Sequence, residues 1–277
     1  MIDGHTQLFG IIGDPVEHSL SPLMHNAAFA HLGLNGVYVP MRPADLAEAF
    51  KGLRSLGFVG VSVTVPFKVA IMDFLDAIDP VAQKIGAVNT LVFERTTGRV
   101  HCKGYNTDWL GANQALAEAI DPAGRTVLIV GAGGAARAVG FGLIEAGAHV
   151  LVTNRTEAKG RELAAQLACP FVPAADLAQV RADALINTTS VGMDPHVHGI
   201  PINPELLPHF PVVMDIVYAP LETRLLREAA ARGCRTVDGL NMLQYQGAAQ
   251  FFLWTGIEAP HAVMRQALLD ALQSPHA

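Results

Sequence analysis

Hydrophobic and polar positions follow two rhythms along this chain. Short apolar runs rich in β-branched residues alternate with longer stretches whose apolar residues return every three or four positions. The short runs predict strands at 7–12, 36–42, 59–65, 126–130, 149–154, 182–189 and 212–218, with a further short piece at 235–239. The longer stretches predict helices over 22–32, 44–56, 67–77, 109–120, 135–147, 156–168, 222–233, 242–256 and 261–273. Residues 86–101 read as a hairpin that turns at Gly98. Strands regularly relieved by helices predict an α/β fold, here two αβ lobes separated by a cleft.

Composition narrows the function classes. With 51% hydrophobic and 16% charged residues over 277 positions, the chain can bury a sizeable core and is not disordered. A net charge of −6 without any lysine or arginine block excludes a nucleic-acid surface. No apolar run reaches the roughly 18 residues of a membrane span. Cys102, Cys169 and Cys234 are scattered, which suggests neither a disulfide framework nor a zinc site. His196 and His198 have metal-like spacing, yet no acidic or cysteine partner is placed to complete a site, so no metal is expected. A soluble, cytoplasmic protein is the expectation.

The sharpest local signal is GAGGAAR at 131–137, set between an apolar strand and a helix. Gly131 permits a tight turn, while Gly133 and Gly134 let a pyrophosphate approach the backbone where a helix begins with unpaired N–H groups. The next strand ends in Asn154-Arg155-Thr156, with Lys159 one turn on, where an NAD site usually has a carboxylate. Two cations without an acid at that tip select a 2′-phosphate, hence NADP; Glu157 is the one opposing charge.

Three polar islands interrupt the first lobe. In GDPVEHSLSP, Ser21 before Pro22 reads as a helix N-cap, and Ser19 lacks that explanation. In SVTVPFK, Thr64 ends a strand and Lys68 falls in the first turn of the predicted helix, where a cation opposes the dipole. In GYNTD, Thr107 or Asp108 can cap the helix that follows. A lysine beside a carboxylate can hand a proton to the alkoxide formed when a hydride reduces a carbonyl.

With these residues in view, the chain resembles the shikimate dehydrogenase family, including its quinate/shikimate members. The matching segments run nearly end to end: HSLSP at 18–22, TVPFK at 64–68, GAVNT at 86–90, NTD at 106–108, GAGGAAR at 131–137, NRT at 154–156 and QGAAQFFLWTG at 246–256. The resemblance implies a substrate-binding lobe of residues 1–108 and 239–277 and a Rossmann-type NADP lobe of 109–238. It implies Lys68 and Asp108 as the catalytic pair, with Ser19 and Ser21 holding a substrate carboxylate. Thr64, Asn89, Asp108 and Gln246 would bind ring hydroxyls, with Tyr218 close by. Gly131, Gly133, Gly134, Asn154, Arg155, Thr156 and Lys159 would carry NADP, and Gly239 and Met242 would border the nicotinamide. The expected partner is a small molecule, not a nucleic acid or a membrane, for a monomer or homodimer.

Four positions depart from the family pattern: Ser62, Tyr105, Trp109 and Asn241. They cluster around the expected pocket and leave the ring substrate open, with a quinate or aminoshikimate-type dehydrogenase as the alternative. A ligand-sensing member that has lost catalysis is the rival from another class, against which Lys68, Asp108 and the complete glycine turn argue.

Overall fold

The structure, a computed structural model, describes residues 2–273. It divides into two compact units, one of residues 1–107 with 246–277 and one of 108–245.

The first unit is built on six strands: β1 (Gln7–Ile12), β2 (Gly36–Met41), β3 (Phe58–Val63), β4 (Ala77–Ile78), β5 (Thr90–Thr96) and β6 (Arg99–Tyr105), in the order β2-β1-β3-β5-β6-β4. The three N-terminal strands are parallel, and β5 and β6 enter as the antiparallel hairpin, turning through Gly98. Parallel strands need crossovers, supplied by α1 (Ser21–His31) between β1 and β2 and α2 (Leu46–Leu56) between β2 and β3. Helix α2 starts where the Asp45 carboxylate accepts the Glu48 N–H at 2.8 Å and stops at Gly57 in the left-handed region.

Residues 67–77 do not form the predicted helix. They make a turn, a five-residue 3-10 helix at Ala70–Phe74, and then β4. The apolar residues that mimic a helical stripe instead pack separately, Ile71 into the core and Phe67, Met72, Phe74 and Leu75 against it. Helix α3 (Pro80–Ile85) lies outside the predicted elements; its local start signal is Asp79, which accepts the Val81 N–H, followed by Pro80.

The second unit holds five parallel strands with helices between them: α4 (Asp108–Ala117), β7 (Thr126–Val130), α5 (Gly134–Glu145), β8 (His149–Thr153), α6 (Glu157–Gln166), β9 (Ala184–Asn187), β10 (Val212–Asp215), α7 (Arg224–Ala231) and β11 (Arg235–Val237). The sheet order is β11-β10-β9-β7-β8, and Phe171 adds a single parallel bridge outside β8. Succession therefore runs outward from β7 in both directions. That reversal is the switch point at which a doubly wound sheet opens a crevice at the carboxyl ends of its strands. Strands β7, β9 and β10 are buried almost throughout, as sheets covered on both faces require.

Helix α8 (Gly239–Thr255) crosses the division between the units, and α9 (His261–Gln273) packs on α1. Phe251 and Trp254 of α8 join Phe9, Phe29 and Tyr38 in an aromatic cluster, where the Trp254 indole donates to the Leu91 carbonyl at 2.9 Å. Each such ring buried contributes roughly 1.5–3 kcal/mol.

Candidate active site

In the first unit the polar islands converge on a buried hydrogen-bond chain. Asn89, just before β5, is 2% exposed. Its Oδ1 accepts from the Thr107 N–H at 2.8 Å and the Thr90 hydroxyl at 2.7 Å, and its Nδ2 donates to the Thr107 hydroxyl at 3.0 Å. The same Nδ2 donates to Gln246 Oε1 at 3.4 Å. One turn further along α8, Gln250 donates to Thr90 Oγ1 at 3.0 Å and to the Asn89 carbonyl at 3.2 Å. Its Oε1 accepts the Ser62 hydroxyl at 2.8 Å, and Ser62 accepts the Tyr38 phenol at 2.7 Å. Ser21 is buried as well, at 4% exposed. Burial pushes the Tyr38 hydroxyl far above its usual range, so it stays protonated.

Ser21 is the first residue of α1, not its cap, and the capping position is Leu20. Ser19 instead accepts the Ser21 backbone N–H at 3.3 Å. Thr64 follows the end of β3 and is half-buried, its backbone N–H bonded to the Ile12 carbonyl. Lys68, also half-buried, sits in the turn before the 3-10 helix, so the dipole argument for it does not apply; its carbonyl accepts the Val88 N–H at 2.8 Å. Thr107 and Asp108, 1% and 5% exposed, lead into α4.

In the second unit the glycine turn links β7 to α5. Gly131 has φ +127°, and a Cβ there would collide with the Thr188 hydroxyl, which donates to the Val130 carbonyl at 2.8 Å. Gly133 is different: its φ of −93° suits any residue, and among the described residues nothing beyond its own chain neighbours and nearby backbone lies within 4 Å of a Cβ built on it. The fold does not require glycine there, but a phosphate approaching the start of α5 does. Gly134 opens the helix itself. At the tip of β8 the Asn154 amide donates to the Thr156 carbonyl at 2.8 Å, fixing a loop from which Arg155, Thr156 and Lys159 are exposed. Glu157 is paired with Arg161 at 3.2 Å. This cradle and cationic tip fit a dinucleotide carrying an extra phosphate.

The remaining expected positions also fall in this unit. Tyr218 follows β10 and is half-buried. Gly239 opens α8 so close to the Ile216 and Val217 carbonyls that a Cβ would strike them. Met242, 7% exposed, packs into the core with Met214 and Val237.

Comparison with known proteins settles what this arrangement belongs to. Residues 11–91 match the model of the shikimate dehydrogenase substrate binding domain, 114–196 that of shikimate / quinate 5-dehydrogenase, and 239–269 that of the shikimate 5'-dehydrogenase C-terminal domain. The shikimate dehydrogenase (NADP(+)) of Moorella thermoacetica is 50% identical, covering 98% of this chain and 95% of its own. That of Methanosarcina acetivorans is 48% identical over 97% and 99%.

The chain belongs to the shikimate dehydrogenase family.

Solved members share its fold. A shikimate dehydrogenase crystallised with NADP+ superimposes with a TM-score of 0.92 at 43% identity, covering 99% of this chain and 98% of that one. The Thermus thermophilus enzyme in complex with NADP(H) and shikimate gives 0.88 at 41%, covering 96% and 100%.

Three of the four departures from the family pattern have defined side-chain contacts within their own units. Trp109 stands edge-on to Phe141, with ring centroids 6.1 Å apart, where α4 meets α5. Asn241 donates to the Glu118 carboxylate at 2.8 Å, and Tyr245 bonds the other oxygen. Tyr105 lies under the Lys103 ammonium at 4.8 Å. Ser62 alone belongs to the chain through Asn89. Sequence reasoning passed over Tyr38, Thr90 and Gln250. Only Gln250 carried a signal, its spacing of one helical turn from Gln246.

Proposed function

We propose that this chain catalyses the NADP-dependent, reversible reduction of 3-dehydroshikimate to shikimate. The observation that carries the reading is the bare start of α5 at Gly133, where a Cβ would meet nothing beyond its own chain neighbours and nearby backbone, followed by the cationic Arg155 tip. The named activity of relatives near 50% identity over almost the whole chain supports it.

The unit of residues 108–245 takes the nucleotide, whose bound reduced form supplies the hydride. Gly131, Gly133 and Gly134 admit its pyrophosphate, Arg155 with Thr156 and Lys159 holds the 2′-phosphate, and Asn154 keeps that loop in shape. Gly239 and Met242 border the nicotinamide. The other unit takes the ring: Ser19 and Ser21 receive its carboxylate, and Thr64, Asn89 and Gln246 its hydroxyls. As hydride reaches the carbonyl carbon, Lys68 gives a proton to the developing alkoxide, and in the reverse direction takes it back. Asp108 is read as the second member of the catalytic pair. The enzyme is read as cytoplasmic, a monomer or homodimer.

The test is oxidation of shikimate and of quinate, each with NADP and with NAD, followed by nicotinamide absorbance. Efficient turnover of shikimate with NADP supports the reading. Turnover of quinate alone, or of neither, removes it.

A further inference from the structure

The hydrogen-bond chain of the first unit has only one possible direction, which follows from counting donors. The Asn89 backbone carbonyl can only accept, so the Gln250 group facing it at 3.2 Å is the amide nitrogen, and Gln250 Oε1 faces Ser62. That oxygen cannot donate, so the single Ser62 proton goes to it, and Ser62 must accept from Tyr38. The Tyr38 proton is thereby committed to Ser62. Thr90 likewise donates to Asn89 Oδ1 and accepts from Gln250.

Every link from Tyr38 to Asn89 is thus locked by its neighbour. Strand β2 contributes Tyr38, β3 contributes Ser62, β5 contributes Thr90 and α8 contributes Gln250, each nearly inaccessible to solvent. The Tyr38 ring is itself fixed, stacked on His25 at 4.6 Å and packed on Trp254 at 6.0 Å.

We propose that Tyr38 and Ser62 are positioning residues for substrate recognition, holding Asn89 through Gln250 and Thr90 at the end of a single polarised chain. The proposal rests on the function proposed above, in which Asn89 touches the substrate. It also accounts for the departure at position 62, because Ser62 closes the chain and does not itself meet the ring.

The chain acts in series, so breaking it twice should cost little more than breaking it once. Tyr38→Phe keeps the ring and its stacking and removes only the hydroxyl; Ser62→Ala removes the next link. Each single variant should raise the KM for shikimate roughly 5- to 20-fold, with kcat within about threefold and the Kd for NADPH unchanged. The double variant should match the worse single within about twofold. Calorimetric titration with shikimate should show the same loss of affinity. An unchanged shikimate KM and affinity in Tyr38→Phe, with only a lowered Tm, would make the chain purely structural and overturn the proposal. Multiplying losses in the double variant would overturn it too, since they mean independent roles. If the wild type neither binds nor turns over shikimate, the functional reading falls first and this inference with it.

Discussion

Asn89 grips Thr107 at two points: its Oδ1 accepts the Thr107 backbone N–H at 2.8 Å, and its Nδ2 donates to the Thr107 hydroxyl at 3.0 Å. Both residues are nearly inaccessible, and the next residue in the chain is Asp108, the proposed carboxylate of the catalytic pair. Asn89→Ala leaves a buried N–H and a buried hydroxyl without this partner, costing about 1–3 kcal/mol. The expected outcome is a Tm several degrees lower and kcat/KM reduced by roughly 100-fold. Full activity in a destabilised variant would separate Asn89 from the chemistry.

Lys68 supplies the proton in the proposed reaction, and no nucleotide contact is assigned to it. Lys68→Ala should lower kcat by roughly a hundredfold or more while NADPH binding, read by fluorescence titration, stays as it was. A variant that turns over normally removes Lys68 from the mechanism.

The glycines of the turn separate folding from binding. Gly131→Ala places a strained φ and a collision with Thr188 at the end of a core strand, so Tm should fall along with NADPH affinity. Gly133→Ala meets nothing beyond its own chain neighbours and nearby backbone and has ordinary backbone angles. Its Tm should be unchanged and its NADPH affinity at least about tenfold weaker. Undiminished affinity in Gly133→Ala would mean the phosphates lie elsewhere.

Arg155 is exposed at the tip of β8, with Glu157 already held by Arg161. Arg155→Ala should weaken NADP roughly 10- to 100-fold, the loss of a charge-assisted bidentate contact, and leave NAD nearly unaffected. Equal losses for both cofactors would place the 2′-phosphate away from this residue.

Two buried groups give opposite acid responses. Burial lowers the His25 imidazole to about 3 from 6.5, so unfolded chain takes up a proton that folded chain refuses. Its contribution is complete above about 6.5 and is lost as pH falls toward 3, at up to about 1.4 kcal/mol per pH unit. Burial raises the Asp215 carboxyl to about 6 from 3.8, against the lowering effect of its bonds from Thr223, Val217 and Asn187. Here the folded state binds the proton more tightly, so the contribution is full below about 3.8 and is lost as pH rises through about 6. In urea unfolding between pH 4 and 6, His25→Phe should therefore flatten the acid loss and Asp215→Asn should steepen it. The same slope in all three proteins would contradict both assignments.

Much of this protein is written locally. The glycine turn, the cationic tip after β8, the Gly98 hairpin and most of the helices follow from spacing and from single residues whose backbone or charge has few alternatives. Residues 67–77 mislead because Ile71, Met72, Phe74 and Leu75 mimic a helical stripe, although their neighbours in space are strands and loops. Closeness in sequence likewise does not say which way a side chain packs: Trp109, beside Asp108 in sequence, stands edge-on to Phe141.

The sequence by itself determined the α/β class, the family and the chemistry at hand, because dinucleotide turns, caps and strand periods are short-range requirements that fall at fixed offsets. Only the tertiary structure decided which polar residues work together. Ser62 meets Gln250 across 188 positions of sequence. That contact exists because β3 lies beside β5 in the sheet while Gln250 of α8 bonds both strands. Hydrogen bonds formed across such distances have no period, so sheet order and packing alone determine them.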